Sequence, residues 1–199
     1  MRKLLLLLLL PTVCLAQTST YGTGKNNAGR FSLGAGVEFV LPVTQGFKDA
    51  YSIGYGGTAR AEYAFTNDLS GMLTAGYIVF SGKDLGNGIT LENGSMIPVT
   101  AGIKYYFMPG TLRFYGAFDI GITSFTTSTA PITILGYSLG SVSATTTEFT
   151  WQPQLGLLGY FSNNAAFDLS VRWIGISDAN ALGIRFGFLY DLGGSNTGY

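Results

Sequence analysis

The chain contains 199 residues, of which only 11% are charged, whereas 47% are hydrophobic and 14% are aromatic. Typical soluble domains carry about 25% charged residues, so this composition argues against an ordinary water-soluble domain. Lysine and arginine together number 11, as do aspartate and glutamate. A chain without net positive charge gives no basis for binding nucleic acid.

The N-terminal segment has the pattern of an export signal. Two basic residues precede the unbroken apolar run 4–10, and the small residues Cys14 and Ala16 suit a signal-peptidase cleavage site. The apolar run is too short for a transmembrane helix, which needs about 20 residues. We therefore predict a signal peptide over 1–16, whose removal takes away the single cysteine, and a flexible, glycine-rich lead-in over 17–29.

Apolar and polar residues then alternate with a period of two in eight segments, each roughly as long as the 9–11 residues that a tilted membrane strand needs. The connections between these segments are alternately short and long. The short ones, such as Thr66-Asn67-Asp68, consist of turn-forming residues, and the long ones cover 42–51, 81–95 and 126–147. The predicted strands are 30–41, 52–65, 69–80, 96–107, 112–125, 148–161, 166–176 and 181–192.

This arrangement predicts an all-β fold, an eight-stranded antiparallel up-and-down transmembrane β-barrel over residues 30–192, followed by a polar tail over 193–199. Short turns at one rim and long loops at the other are typical of outer-membrane barrels, whose short turns face the periplasm. A closed barrel also satisfies every backbone polar group without water, as a chain in lipid requires. A count of ten strands remains an alternative.

Side-chain size and charge indicate which face of the strands meets lipid. In the predicted strand 112–125, Phe114, Phe118 and Ile120 alternate with a small or polar face that includes Asp119. A water-facing exterior would be dense with lysine and glutamate, whereas the polar faces here consist mainly of Gly, Ala, Ser and Thr with few charges. Such side chains suit the interior of an eight-stranded barrel. We therefore expect the apolar faces to contact lipid, and the inverted, water-soluble arrangement is disfavoured.

The inward faces of the predicted barrel place charged side chains in the lumen. Acids and bases are equal in number there, which is the balance expected if they pair, because an unpaired buried charge is costly. We expect these pairs to fix the strand register and to close the lumen to water and solutes. The predicted lumen network has a structural role and consists of Glu38, Arg60, Glu62, Lys104, Arg113, Asp119, Asp168, Arg172, Arg185 and Asp191.

The same side chains permit two other interpretations, an ion path or a catalytic centre. The chain has no histidine, and a membrane-barrel hydrolase or acyltransferase would need a histidine base or a Ser–His pair. The glycine-rich segments 33–36 and 54–57 are not followed by a helix, so they do not predict a phosphate cradle. We predict no catalytic residue, no metal site and no cofactor.

Aromatic strand ends, such as Tyr105-Tyr106-Phe107, complete a set of features that the chain shares with a known group. With its leader, its eight alternating segments and its Asn-bearing turns, the chain resembles the small outer-membrane β-barrel proteins of Gram-negative bacteria, of the OmpA-barrel and OmpX kind. The resemblance covers essentially the whole mature chain. It implies a monomer in the outer membrane whose partners are the membrane lipid and the barrel insertion machinery. It specifies a fold class and no activity.

The function is therefore predicted from the lumen and the loops. The leading hypothesis is a structural or surface-interaction barrel with a side-chain-filled lumen, whose loops 42–51, 81–95 and 126–147 are available to an extracellular partner. The last of these either extends its flanking strands as a protruding edge on which other chains could pair or forms a flexible loop. A narrow channel or small-solute carrier is the alternative, and an enzyme comes third.

Overall fold

The computed structural model describes residues 28–83, 93–128, 132–134, 137–139, 143–177 and 179–193. The predicted signal peptide, the lead-in up to residue 27 and the tail from residue 194 lie outside these ranges, as does most of the predicted loop 81–95. Within the described ranges, no helix is long and apolar enough to cross a membrane.

Most of the described chain is β-strand. Successive side chains of a strand point to opposite faces, so the alternating segments can meet lipid on one side and fill an interior on the other. The elements are β1 (Phe31–Pro42), α1 (Gln45–Ala50), β2 (Tyr51–Ala64), β3 (Leu69–Gly82), β4 (Gly94–Tyr106), β5 (Leu112–Ser128), β6 (Ile132–Ile134), β7 (Tyr137–Leu139), β8 (Ser143–Tyr160), β9 (Ala165–Ile176) and β10 (Ala181–Asp191).

Eight of these strands form a closed antiparallel barrel in the order β1-β2-β3-β4-β5-β8-β9-β10. β1 closes the barrel against β10, in a register that runs from Ser32 opposite Asp191 to Pro42 opposite Ala181. β6 and β7 pair with each other in a separate two-stranded sheet. The prediction of an eight-stranded antiparallel barrel is therefore confirmed, and the two further strands belong to a hairpin between β5 and β8.

The bulky apolar side chains lie on the outside of the barrel and the charged ones lie inside. Phe118, Ile120 and Phe188 are exposed, whereas Arg60 and Asp119 are buried, with exposed fractions of 2% and 0%. A water-soluble barrel would show the reverse distribution. The expected orientation, with the apolar faces outward and the charged faces inward, is therefore confirmed.

β5 and β8 are long strands of 17 and 18 residues, and they stay paired as far as Ser128 opposite Ser143. The pairing between β9 and β8 ends at Thr150, so β8 has an open edge beyond that point. We call residues 123–128 of β5 and 143–148 of β8 the ribbon. The stretch between the predicted fifth and sixth strands thus extends both of them, which is one of the two arrangements that the sequence predicts.

The orientation of the strands predicts how the barrel tolerates charge on its outer face. Ala59 lies midway along β2 and Leu112 begins β5 at a rim, and both are exposed. We expect Ala59→Arg to lower the free energy of unfolding by about 2–4 kcal/mol and Leu112→Arg by about 0–1 kcal/mol, because the cost of a lipid-facing charge falls from midplane to interface. Reversible denaturant unfolding in lipid vesicles, followed by tryptophan fluorescence, measures both values. Equal losses would contradict the orientation.

Candidate functional site: the barrel lumen

Three layers of side chains fill the lumen. An apolar cap of aromatic and aliphatic side chains occupies the end that carries the loops. Charged and amide side chains fill the middle, and tyrosines and polar groups fill the end with the short turns, which faces the periplasm in barrels of this kind. All ten charges that the sequence places in the lumen are buried, with exposed fractions of 4% or less.

The carboxylate of Asp168, on β9, lies at the centre of the charged layer. Its Oδ2 lies 3.0 Å from Arg60 Nη1, 3.4 Å from Arg185 Nη1 and 3.6 Å from Lys104 Nζ. Its Oδ1 accepts a hydrogen bond of 2.6 Å from the hydroxyl of Tyr115. Since these groups belong to β2, β10, β4 and β5, one carboxylate connects five of the eight barrel strands.

Glu62, on β2, provides Lys104 with a second carboxylate. Lys104 Nζ lies 2.7 Å from Glu62 Oε2, and the hydroxyl of Tyr106 donates to Glu62 Oε1 at 2.7 Å. The ammonium also lies 4.3 Å from the ring centroid of Tyr115, within the range of a cation–π attraction. Lys104 is therefore held between two carboxylates and an aromatic face.

A second ion pair lies nearer the apolar cap. Arg172 donates from Nε to Glu38 Oε1 at 2.6 Å and from Nη2 to Oε2 of the same carboxylate. Its Nη1 donates to Gln152 Oε1 at 2.9 Å. Bidentate pairs of guanidinium and carboxylate are among the strong polar contacts in proteins. This one connects β1 to β9 across the lumen.

Asp119 interacts with the network through an amide. The side chain of Gln154 donates to Asp119 Oδ2 and accepts a hydrogen bond of 3.3 Å from Arg60 Nη2. Arg185 Nε donates to Thr58 Oγ1 at 2.8 Å. In the described part of the chain, Asp119 Oδ1 and both Nη atoms of Arg185 have no hydrogen-bond partner, so these two residues are the least completely bonded of the central charges.

Arg113 and Asp191 lie at the periplasmic rim, apart from the central network. Asp191 Oδ1 accepts a hydrogen bond of 2.6 Å from the hydroxyl of Ser32, and its Oδ2 lies 3.4 Å from Arg30 Nη1. Arg113 Nη2 lies 3.4 Å from Asp68 Oδ1. Sequence reasoning missed Arg30 and Asp68 as partners, because one begins a predicted strand and the other belongs to a turn. The inward parity of Arg30 is the signal that could have identified it.

A small cavity lies between these rim groups and the central network. Glu62, Ser70, Tyr106 and Tyr160 contribute to its lining, and its volume is about 20 Å³. One water molecule needs roughly 10–15 Å³ by this measure, so the cavity has room for water and excludes an organic ligand. Among the residues that the structure describes, no group of three or more His, Cys, Asp or Glu side chains is placed to hold a metal ion.

Glycines beside the large polar side chains provide the space that the network needs. A β-carbon on Gly102 would overlap the carboxylate of Asp119, and one on Gly156 would overlap the phenol ring of Tyr115. The interior of an eight-stranded barrel is only wide enough for side chains. The side chains of Asp119 and Tyr115 therefore each require a neighbouring residue without a side chain.

α1 closes the outer end of the lumen. Phe47 is the buried residue of this helix, and its ring centroid lies 5.2 Å from that of Phe80, 5.7 Å from that of Phe125 and 5.8 Å from that of Tyr51. The remaining buried members of the apolar cap are Val40, Ile78, Met96, Ile174 and Ala181.

The sequence predicts an exposed loop over 42–51, and the structure differs there because α1 turns Phe47 into the lumen. Six residues make fewer than two turns of helix, which is too short for a periodic apolar pattern. A single phenylalanine in a largely polar segment is the one sequence feature that could have indicated the cap.

A closed antiparallel barrel with an apolar exterior and a filled, charged interior defines a small membrane-spanning β-barrel protein. The sequence matches the model of the outer membrane protein beta-barrel domain family over residues 5–191, and the chain belongs to this family. It is an outer-membrane protein, so the predicted family and location are confirmed. No curated protein matches the sequence at a significant level.

Several solved structures are similar to this barrel. Ail, the attachment invasion locus protein of Yersinia pestis, is 17% identical, with a TM-score of 0.60 over 83% of this chain and 99% of that chain. OprG from Pseudomonas aeruginosa is 17% identical, with a TM-score of 0.61 over 83% and 97%. Neisserial surface protein A is 12% identical, with a TM-score of 0.57 over 81% and 97%. At these identities the likeness shows the fold alone.

The central network predicts a large difference between two aspartates. We expect Asp168→Asn to lower the free energy of unfolding by about 3–5 kcal/mol, because it leaves Arg60 and Arg185 buried without their carboxylate. The control Asp68→Asn removes a half-exposed ion-pair partner at the rim and should cost about 1 kcal/mol or less. Denaturant unfolding in lipid vesicles measures both. If Asp168→Asn lowers the free energy of unfolding no more than the control does, the buried carboxylate does not stabilise the barrel more than the rim carboxylate does.

Proposed function

We propose that the chain is a non-conducting, monomeric outer-membrane barrel that acts through its external surface and carries out no catalysis. Lipid covers its apolar face, the barrel insertion machinery assembles it, and residues 1–16 are removed as a signal peptide. The observation that carries this proposal is the filled lumen. The apolar cap, the pair formed by Glu38 and Arg172, and the network around Asp168 follow one another along the barrel axis.

This filling opposes the passage of ions. An ion that enters from outside would first have to displace Phe47 and then separate buried ion pairs. Breaking a buried pair costs about 3–5 kcal/mol, because it leaves an uncompensated charge. A narrow channel is the second candidate, and the observation in its favour is the incomplete bonding of Arg185 and Asp119.

The chemistry of the lumen also gives little support to catalysis. The chain has no histidine. Three of the buried carboxylates, those of Glu38, Glu62 and Asp168, are each within ion-pair distance of a buried cation, so they are poorly placed to take up a proton from a substrate. Ion-pair networks with a structural role are common in such surroundings.

The ribbon is the external surface that we propose for a partner. Nine of its 12 residues are serine or threonine, and Glu148 is its single charge. The open edge of β8 offers backbone N–H and C=O groups to an extended segment of another chain, as in β-strand addition. Hydroxyl pairs across the two strands hold the ribbon together, namely Ser124 with Thr147 at 2.7 Å, Thr126 with Thr145 at 2.9 Å and Ser128 with Ser143 at 3.0 Å.

The similar structures offer a precedent for a surface role. Ail is described as an attachment invasion locus protein, and one of its structures is a complex with the heparin analogue sucrose octasulfate. Both statements concern Ail. They support a surface-interaction function for this chain only as an analogy between barrels of one fold.

The filled lumen predicts an insulating barrel. We expect the purified protein, inserted into planar bilayers, to give no defined single-channel steps, because the apolar cap and the ion-pair layers leave no aqueous path. A porin added to the same bilayer is the positive control, and resistance of the reconstituted chain to protease verifies its insertion. Reproducible steps of one amplitude would contradict the proposal and favour the narrow channel.

The open edge of β8 predicts that charge on the ribbon abolishes partner binding. We expect Gram-negative cells that display the wild-type chain to attach to cultured animal cells, or to one another, more than cells without it. Thr145→Lys with Thr147→Lys should remove this gain, because lysine on an exposed edge blocks strand pairing. The control Gln45→Lys with Asp49→Lys places the same side chains on α1, outside the ribbon. If cells with the ribbon variant attach as well as cells with the wild-type chain, the assignment of the ribbon as the partner surface is wrong.

A further inference from the structure

The barrel wall surrounds Phe47 with a pocket that belongs to the strands themselves. Seven of the eight barrel strands contribute to it, since β8 alone provides no member of the apolar cap. Tyr51, Phe80 and Phe125 face the ring of Phe47 at edge or tilted angles of 67°, 52° and 84°. A rigid, largely apolar concavity with aromatic walls is the usual form of a small-molecule site.

α1 contributes one buried side chain to this pocket; Ala50 packs beside it, and Lys83 Nζ donates to Lys48 O at 2.6 Å. Phe47 is its buried residue, and Thr44 at its N-terminus makes no side-chain cap hydrogen bond. Backbone hydrogen bonds fix the two ends of the segment, one of 3.3 Å from Thr44 N–H to Asn180 O and one of 3.0 Å from Lys83 N–H to Ala50 O. The middle of the helix can therefore leave the mouth of the barrel without breaking any contact between barrel strands.

Two polar atoms beside the pocket lack a partner. Thr123 is the inward-facing residue next to Phe125 on β5, on its periplasmic side. Glu148 lies opposite Thr123 on β8. Thr123 Oγ1 and Glu148 Oε2 are buried and have no hydrogen-bond partner in the described part of the chain. Buried polar groups are normally hydrogen-bonded. A phenylalanine ring cannot satisfy them, whereas a ring that carries a hydroxyl or amino group can.

We propose that the outer mouth of the barrel is a binding site for a small molecule with a single aromatic ring and one hydrogen-bond donor, and that Phe47 occupies this site as a built-in plug. The aromatic ring of the ligand takes the place of the Phe47 ring against Phe80 and Phe125. Its donor bonds to Glu148 or Thr123. The site includes Thr123, Phe125 and Glu148 at the base of the ribbon, and it is separate from the charged layers of the lumen.

The variant Phe47→Ala tests the site, because it empties the pocket while the barrel strands stay unchanged. Apolar cavities of this kind stay dry and bind small aromatic molecules. The probe is p-cresol, with toluene as the analogue that lacks a donor. The ¹³C-methyl resonance of Met96, a member of the apolar cap, reports on binding, and that of Met72, in the lumen outside the apolar cap, is the internal reference.

We expect p-cresol to shift the Met96 resonance of Phe47→Ala in a saturable way, to leave Met72 unmoved, and to bind more tightly than toluene. Phe188→Ala, which removes a ring from the lipid-facing surface, should show no such shift. Adding Thr123→Val with Glu148→Leu to Phe47→Ala removes both acceptors and should remove the preference for p-cresol over toluene.

The absence of a saturable Met96 shift, or an equal shift in Phe188→Ala, would overturn the site. A preference for p-cresol that survives Thr123→Val with Glu148→Leu would overturn the class of ligand. If Phe47→Ala does not give a folded barrel by gel mobility, Phe47→Leu provides a smaller cavity with the same readout and the same criteria.

Discussion

Hydrocarbon offers no hydrogen-bond partner to a backbone N–H or C=O group, and the rest of the structure depends on this constraint. The pairing of β1 with β10 removes the open edge that a flat sheet would present to lipid. Closure with eight strands also makes the lumen narrow, with room for side chains alone. The charged side chains of the membrane-spanning strands must therefore fit inside this lumen and share partners there.

The charged layer meets this requirement by sharing partners. Asp168 faces three cations, Lys104 faces two carboxylates, and Gln154 connects Arg60 to Asp119, so that most of the central charges have more than one partner. Glycines provide the necessary volume, as at Gly102. Because the interior is occupied in this way, the features available for function lie at the outer end of the barrel, in the apolar cap and the ribbon.

Sequence reasoning succeeded where one physical rule acts on each residue separately. A period of two fixes the face of every strand residue, so the barrel, its orientation and the inward position of the lumen charges could be predicted. The partners within the ion pairs could not be predicted, because long side chains reach past the residues that lie opposite them in the strand register. Glu38 lies opposite Arg185 in the strand register, yet its ion-pair partner is Arg172. α1 could not be predicted either, since a helix of six residues leaves no periodic signal.

The ion pairs of the lumen also bear on how the barrel enters the membrane. Glu38 and Arg172 are 134 residues apart in the chain, and Arg60 and Asp168 are 108 residues apart. Neither pair can form within one hairpin, and contacts between such distant residues form slowly. Hairpins inserted one after another would bring unneutralised charges into hydrocarbon. We therefore expect the first strands to remain in a polar environment until the last ones pair with them, so that the barrel crosses the bilayer as it closes.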